Sequence, residues 1–145
     1  MEDPKRILVT RIRQIGDVIL TLPLVDALRA RFPHAEIDYL AETAPAQAAI
    51  GHPALRRVLT LRKWPGLPAP PLLLAALRRA HYDLVIDLYG NPRSAFLSSF
   101  TGAPIRVGPA RRSTACCCTH CISTRRASRT SRWGTRRRWP GRCSW

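Results

Sequence analysis

Asp17 is a candidate for acid–base chemistry. It follows the apolar run Ile7-Leu8-Val9 and a turn at Gln14-Ile15-Gly16. A carboxylate within hydrogen-bond reach of a hydroxyl can take its proton and turn it into a nucleophile. Gly16 would let the chain turn tightly before a helix, so that Asp17 lies at the rim where parallel sheets bind ligands. The alternative is that Asp17 caps the helix by accepting from its first backbone N–H groups.

Basic residues form a second set of candidates. Arg62 and Lys63 follow the third apolar run, and Arg93 begins a helical pattern after the fourth. The planar guanidinium of Arg62 can bond two oxygens of a phosphate or carboxylate at once. A cation such as Arg93 is locally unfavourable beside a helix N-terminus, which favours an anionic ligand there. For Arg62 and Lys63 the alternative is solvated loop charge.

Two further groups of reactive residues point away from catalysis. Asp87 ends the fourth apolar run, where we expect it to accept hydrogen bonds that organise its loop rather than to act as a second catalytic carboxylate. The cysteines at 116–118, with Cys121 and His120, could suggest a metal site, but three adjacent thiolates cannot converge on one tetrahedral ion without severe contortion of the backbone. The histidines of the first 110 residues have no metal-ligand spacing, so we expect no metal ion.

These candidates need an α/β framework to position them. Residues 5–107 alternate apolar runs with helical patterns, which is typical of βα units and a mostly parallel sheet. The pattern predicts strands at 7–9, 36–40, 57–61, 82–88 and 105–107, the second of them half-buried because polar and apolar residues alternate. It predicts helices at 18–32, 44–50, 72–80 and 93–100. In the first of these, Pro23 removes a backbone donor, so the helix either kinks or starts afresh near Thr21, and we favour the fresh start.

Charge divides the chain into two parts after Ala110. The 145 residues have a net charge of +15, and ten arginines without Lys, Asp or Glu give residues 111–145 a net charge of +10. This segment also holds all five cysteines and has Ile122 as its one large aliphatic residue, so it cannot build a core. We expect an α/β domain at residues 1–112 and a disordered basic tail at residues 113–145.

Length and hydropathy exclude other classes. The chain has the length of one domain. Its mean hydropathy is −0.14, and no apolar run approaches the roughly 18 residues that a bilayer requires, so we expect no transmembrane segment. Residues 1–6 lack the pattern of a secretory signal, so we expect a cytoplasmic protein.

Three motifs in this order resemble glycosyltransferase family nine, the ADP-heptose:lipopolysaccharide heptosyltransferases. They are RIRQIGDV at 11–18, TLPL at 21–24 and YDLVIDLYGNPRS at 82–94. The resemblance spans nearly all of residues 5–112. It implies a GT-B enzyme, in which two Rossmann-like domains face a cleft, and this chain resembles most of the first, acceptor-side domain. On this resemblance, we expect the donor domain to be missing from these 145 residues, so that residues 1–112 form an incomplete Rossmann-like domain.

The resemblance also implies a reaction and roles for particular residues. Heptose would pass from the co-substrate ADP-heptose to the lipopolysaccharide inner core, without a metal or other cofactor. The enzyme would act at the cytoplasmic face of the inner membrane, as a peripheral protein. Asp17 matches the general base proposed for the family, and the residues expected to bind substrate are Gly16, Arg62, Lys63, Asn91 and Arg93. Half a cleft neither binds nor positions the donor, so we expect this chain alone to be inactive.

Residues 113–145 allow two further interpretations besides a metal site. The arginines could form an arm that binds nucleic acid without sequence preference. Alternatively, the segment is a GC-rich gene read out of frame, because a cysteine codon preceded by C becomes a leucine codon when it is read one base earlier. From Ser113 onward the neighbouring frame can spell DRLLLYPLHLDPPGLAH, which resembles the continuation of the family. We favour a frameshift near Arg112 and a truncated chain.

Two other functional classes stay open from the sequence. One is a small basic nucleic-acid-binding protein, whose binding to arbitrary DNA would depend on salt and on residues 113–145. The other is a module that binds an anionic sugar or nucleotide without chemistry. The favoured interpretation is a fragment of a heptosyltransferase-like enzyme.

Overall fold

The computed structural model describes residues 3–62, 69–109 and 120–122, the last of these by backbone alone. The strands are β1 Arg6–Thr10, β2 Glu36–Glu42, β3 Arg57–Leu61, β4 Leu84–Asp87, β5 Ile105–Pro109 and β6 His120–Ile122. The helices are α1 Ile15–Arg31, α2 Thr43–Ala46, α3 Pro71–Arg79 and α4 Pro92–Phe100. Every strand predicted from the apolar runs is present, with boundaries shifted by a few residues.

The strands form one parallel sheet in the order β3-β2-β1-β4-β5-β6. This is the doubly wound order, in which the chain builds outward from β1 on one side and then crosses to build outward on the other. Helices α1 and α2 cover one face through Val18, Val25 and Ala46. Helices α3 and α4 cover the opposite face through Leu77 and Leu97. The predicted α/β class with a Rossmann-like parallel sheet is confirmed.

Strand β1 is central because its apolar run is covered on both faces. Ile7 and Val9 pack under α1, Leu8 packs on the opposite side, and all three are fully buried. In register, Val9 lies between Tyr39 of β2 and Ile86 of β4. A strand buried on both faces reads as a continuous apolar run, which is why the sequence located β1 well.

Helix α1 is continuous, so the predicted fresh start near Thr21 is wrong. Pro23 lies inside the helix, on its exposed side. The helical hydrogen bond that a proline cannot make is therefore lost on the side that faces water, where the loss costs least. Thr21 instead donates its hydroxyl to the Val18 carbonyl oxygen at 2.7 Å.

Strand β2 is buried along its central five residues, so the half-buried strand predicted from alternation is wrong. The reason is Asp38, which is fully buried and accepts hydrogen bonds from Tyr82 Oη at 2.6 Å, Arg56 Nη2 at 2.6 Å and Arg57 Nε at 2.8 Å. Burial alone would raise the pKa of Asp38, but these hydrogen bonds outweigh it and hold the pKa below its usual value. Burial and the bond to Asp38 raise the pKa of Tyr82.

The predicted tail at 113–145 lies outside the described residues except for the backbone of β6. Strand β6 pairs with β5, with Gly108 opposite Cys121, and extends the sheet by one strand where no element was predicted. Among the described helices, none has both the length and the apolar content that a membrane span requires.

Candidate active site at the carboxyl edge of the sheet

The candidate site lies at the carboxyl edge of the sheet. All the strands are parallel, so the residues that follow them meet at this edge. Arg11 follows β1, Glu42 ends β2, Arg62 follows β3, Asp87 ends β4, and Asp17 lies in the first turn of α1. Three carboxylates and two guanidinium groups are thereby collected from four separate stretches of chain.

Asp17 presents its carboxylate at this edge while Arg11 holds one of its oxygens. Nη2 of Arg11 donates to Oδ2 of Asp17 at 2.5 Å, and the Asp17 side chain is 29% exposed. Gln14 is the N-cap of α1, and no side chain makes a cap hydrogen bond at this helix start. The alternative that Asp17 is a helix cap is therefore wrong, although an acid in the first turn still suits the helix dipole.

The turn before α1 differs from the expected one. Gly16 was expected to allow the tight turn, but the residue with positive φ is Gln14, at 67°, and Gly16 already belongs to α1. An added Cβ at Gly16 would meet no atom within 4 Å. The space beside Gly16 is thus open next to Asp17, which suits the approach of a ligand to the helix N-terminus.

Arg11 connects three parts of the site. Besides its bond to Asp17, its Nη1 donates to the carbonyl oxygen of Leu88 beyond β4, and its guanidinium lies 5.5 Å from the ring centroid of Tyr89. Its backbone N–H donates to the carbonyl oxygen of Leu40 at 3.0 Å. Arg11 therefore fixes the loop after β4 relative to the start of α1.

A second cluster contains Arg93 and the ends of β2 and β3. Nη1 of Arg93 lies 3.5 Å from Oε1 of Glu42, and its Nη2 donates to the carbonyl oxygen of Arg62 at 3.3 Å. The ion pair with Glu42 offsets the unfavourable position of a cation at a helix start, so that position by itself no longer argues for a ligand. Lys63, also predicted to bind substrate, lies outside the described residues.

A cavity of about 270 Å³ opens beside this second cluster. Its lining comes from the end of β2, the start of α2 and the end of β3, and includes Glu42, Thr43, Pro45 and Arg62. The Arg62 side chain is exposed at its rim. Arg62 is thus placed where it can bind an anion that enters the cavity.

Arg13 lies between the two clusters. The nearby Tyr89 hydroxyl, followed by the charge of Glu42, raises the pKa of Arg13. Because Arg13 is exposed, its guanidinium is available to an anionic ligand at the site.

Asp87 organises the loop after β4, as the sequence predicted. It is 3% exposed and accepts from the hydroxyls of Thr10 at 3.1 Å and Ser94 at 2.8 Å. It also accepts from the backbone N–H groups of Tyr89 at 2.9 Å and Gly90 at 3.1 Å. With four donors around a buried carboxylate, Asp87 has a structural role.

Asn91 begins α4 as its N-cap. Its Oδ1 accepts from the backbone N–H of Ser94 at 2.7 Å, and its own N–H donates to Oγ of Ser94 at 3.1 Å, which completes a capping box. The side-chain oxygen predicted to bind substrate is thus engaged in the helix cap, and the amide NH₂ is the part of Asn91 that can act as a donor to a ligand.

Sequence reasoning assigned no role to Arg11, Arg13, Glu42 or Tyr89. Arg11, Arg13 and Tyr89 lie inside the motifs that carry the family resemblance, and each follows a predicted strand, so their positions at the carboxyl edge were a usable signal. Glu42 lies two residues beyond the predicted second strand. Within the described ranges, no three His, Cys, Asp or Glu side chains come together as metal ligands, and the cysteines at 116–118 lie outside those ranges.

Comparison with known sequences identifies relatives of this chain. The family model for glycosyltransferase family 9 (heptosyltransferase) matches residues 72–133. Lipopolysaccharide heptosyltransferase 1 of Pseudomonas aeruginosa is 36% identical over 107 residues, which cover 67% of this chain and 30% of that protein. The chain thus spans about a third of the length of the curated relatives that it matches.

Comparison with solved structures gives the same result. The family 9 glycosyltransferase from Veillonella parvula has a TM-score of 0.73 and 29% identity, with 86% of this chain and 37% of that chain covered. The E. coli heptosyltransferase WaaC with ADP has a TM-score of 0.70 and 27% identity, with 84% of this chain and 42% of that chain covered.

Proposed function

We propose that this chain belongs to glycosyltransferase family nine and forms the acceptor-side half of a heptosyltransferase, as its family match and its heptosyltransferase relatives support. In the proposed reaction the bond between the anomeric carbon of heptose and ADP breaks, and ADP leaves. A hydroxyl oxygen of the lipopolysaccharide inner core forms the new bond from the opposite side of the sugar, with inversion. The proton of that hydroxyl passes to Asp17.

The observation that carries this proposal is the placement of Asp17. Its carboxylate is partly exposed at the carboxyl edge, beside the open space at Gly16, and Arg11 holds its Oδ2. An orientated carboxylate that a hydroxyl can reach meets the geometric requirement for a general base. Because Arg11 already fixes the direction of the carboxylate, less entropy is lost when the transition state forms.

The basic residues at the same edge support an anionic acceptor. Arg13 and Arg62 are exposed, and Arg62 lies on the rim of the cavity of about 270 Å³. A phosphate or sugar-acid carboxylate can accept two parallel hydrogen bonds from one guanidinium. We assign Arg62 and Lys63, with Arg93, to acceptor binding, and Gly16 and the Asn91 amide to close backbone and polar contacts with the sugar.

The donor and the cellular location complete the proposal. ADP-heptose would be held mainly by a second domain, as in a two-domain GT-B enzyme, so the chain by itself is expected to bind acceptor but not to transfer heptose. Because the acceptor is lipid-linked, we place the protein at the cytoplasmic face of the inner membrane, as a peripheral protein. We assign no metal to the reaction.

Heptose transfer by a chimaera tests the proposal. Residues 1–109 are joined to the remaining part of a family 9 relative, and transfer from ADP-heptose to a lipopolysaccharide acceptor is measured. Transfer is expected, and Asp17→Asn is expected to lower kcat by about 10²–10⁴-fold, because loss of a general base has effects of that size. Asp26→Asn is the matched control, since Asp26 is another exposed acid on α1, and it should leave kcat within about twofold.

Two outcomes contradict different parts of the proposal. Normal kcat in a folded Asp17→Asn chimaera would contradict the assignment of Asp17 as the general base, but it would not contradict the proposed heptose transfer. A folded chimaera that binds the acceptor yet transfers no heptose would argue for a binding module rather than a transferase half.

A further inference from the structure

The outer surface of α3 and α4 is apolar and basic. Leu72 of α3 is 86% exposed, and Phe96 and Phe100 of α4 are 44% and 36% exposed. The two phenylalanine rings stack one helical turn apart, with centroids at 5.9 Å. We call these three side chains, with Arg78 and Arg79 at the end of α3, the aromatic surface.

The two helices present this surface together. Leu77 of α3 and Leu97 of α4 belong to one buried cluster on the same sheet face, so their opposite sides both face outward. Nη1 of Arg78 donates to the carbonyl oxygen of Phe100 at 3.4 Å, which places this guanidinium group at the C-terminal end of α4. The sequences of α3 and α4 contain no Asp or Glu.

We propose that the aromatic surface docks this protein on an anionic lipid bilayer. Leu and Phe side chains would enter the headgroup region, while Arg78 and Arg79 would contact lipid phosphates. The mixture of exposed aromatic rings and guanidinium groups without any acid complements an anionic surface. The exposed apolar side chains of α1, by contrast, share their helix with Asp17 and Asp26.

One end of the aromatic surface lies near the candidate site. Arg93, Phe96 and Phe100 are spaced by three and four residues, so they follow one side of α4 from the candidate site outward. Because α3 and α4 run from the carboxyl edge of the sheet to its amino edge, Leu72 lies near the carboxyl edge, whereas Arg78, Arg79 and Phe100 lie near the amino edge. The inference rests on the membrane location proposed above, but it does not require heptose transfer.

Vesicle co-sedimentation of the full chain tests the inference. Phe96→Ser/Phe100→Ser is expected to lower binding to phosphatidylcholine–phosphatidylglycerol vesicles at least about fivefold, because it removes two aromatic anchors. The variant changes no charge, so any attraction due to the ten arginines of residues 111–145 is the same as in the wild type. Arg78→Gln/Arg79→Gln is expected to lower vesicle binding by about fivefold per arginine. This difference from the wild type should be smaller at high salt, because salt screens the attraction to lipid phosphates.

The matched control is Ile19→Ser/Leu20→Ser, which removes two exposed apolar side chains from α1 on the opposite face of the sheet. It should leave vesicle binding unchanged, and circular dichroism should show that both double variants are folded. Equal vesicle binding by the phenylalanine variant and the wild type would contradict the proposal that the aromatic surface binds the bilayer. Equal losses of binding in the phenylalanine variant and the α1 control would contradict it too. A wild type that binds no anionic vesicle would overturn the membrane location as well. A dimer that dissociates in the phenylalanine variant without a change in vesicle binding would assign this surface to a second copy and overturn the proposal.

Discussion

The guanidinium of Arg11 donates to the carboxylate of Asp17 at 2.5 Å, so the last turn before α1 is closed by an ion pair at the rim of the sheet. Both side chains are less than a third exposed. The same guanidinium reaches Leu88 and Tyr89 after β4. The general base proposed for this chain is therefore held by a residue that also holds the neighbouring loop.

Loss of the Arg11 side chain should cost more stability than loss of the Asp17 charge. Arg11→Gln leaves Asp17 and the Leu88 carbonyl without their donor and should lower the free energy of unfolding by about 2 kcal/mol. Asp17→Asn should lower it by about 1 kcal/mol or less. Urea unfolding of the single and double variants should give a coupling energy of about 1 kcal/mol. Strictly additive effects would show that the ion pair contributes nothing in solution.

Asp38 should be required for folding stability although it lies away from the candidate site. Asp38→Asn removes the buried charge that Arg56, Arg57 and Tyr82 share. Because both guanidinium groups are partly exposed and stay solvated, the fold should lose about 2–3 kcal/mol of stability. Glu36→Gln is the control, because Glu36 also pairs with Arg56 but is 43% exposed, and it should cost under about 1 kcal/mol. Urea denaturation at neutral pH measures both, and equal effects of the two changes would contradict the buried network.

The same carboxylate predicts a sensitivity to acid. The folded-state pKa of Asp38 is lowered, so its contribution to stability is present above the unfolded pKa and is lost as the pH falls through the folded pKa. The free energy of unfolding should therefore decline below about pH 4, and Asp38→Asn should decline less steeply over the same range. Identical slopes in the wild type and the variant would assign the acid sensitivity to other groups.

Asp87 should behave as a structural residue. Asp87→Ala removes the acceptor of four donors in a buried position and should destabilise the fold by about 3 kcal/mol or more. Ser94→Ala removes one of those donors and part of the capping box, and should cost about 1–2 kcal/mol. Thermal unfolding followed by circular dichroism gives the order, and a larger loss for Ser94→Ala would contradict the central role of Asp87.

The gene sequence tests the proposed change of frame. If a frameshift lies near codon 112, DNA sequencing should find that the neighbouring frame continues with family-like residues beyond it. The family match reaches residue 133 and β6 lies at residues 120–122, so part of this segment aligns with the family as it stands. An uninterrupted frame through Trp145 would contradict the frameshift, and residues 113–145 would then be genuine sequence.

The apolar runs of the sequence were enough to predict the architecture. The central strands of a parallel sheet are short, nearly continuous apolar runs, so β1 and β4 could be located by composition alone. Parallel strands share their carboxyl edge, so the placement of Asp17 and Arg62 at that edge followed from chain order. These conclusions need only local pattern and a topological rule.

The pairings between side chains were decided by the tertiary structure. Tyr82 donates to Asp38 across 44 residues, and Arg93 reaches Glu42 across 51. The alternation of polar and apolar residues in β2 suggested that Asp38 is exposed. A local pattern cannot show that hydrogen-bond donors from two other segments stabilise the buried carboxylate. The sequence by itself determined which residues reach the carboxyl edge, whereas only the folded chain decided their partners, since contacts between distant segments depend on how the whole sheet is assembled.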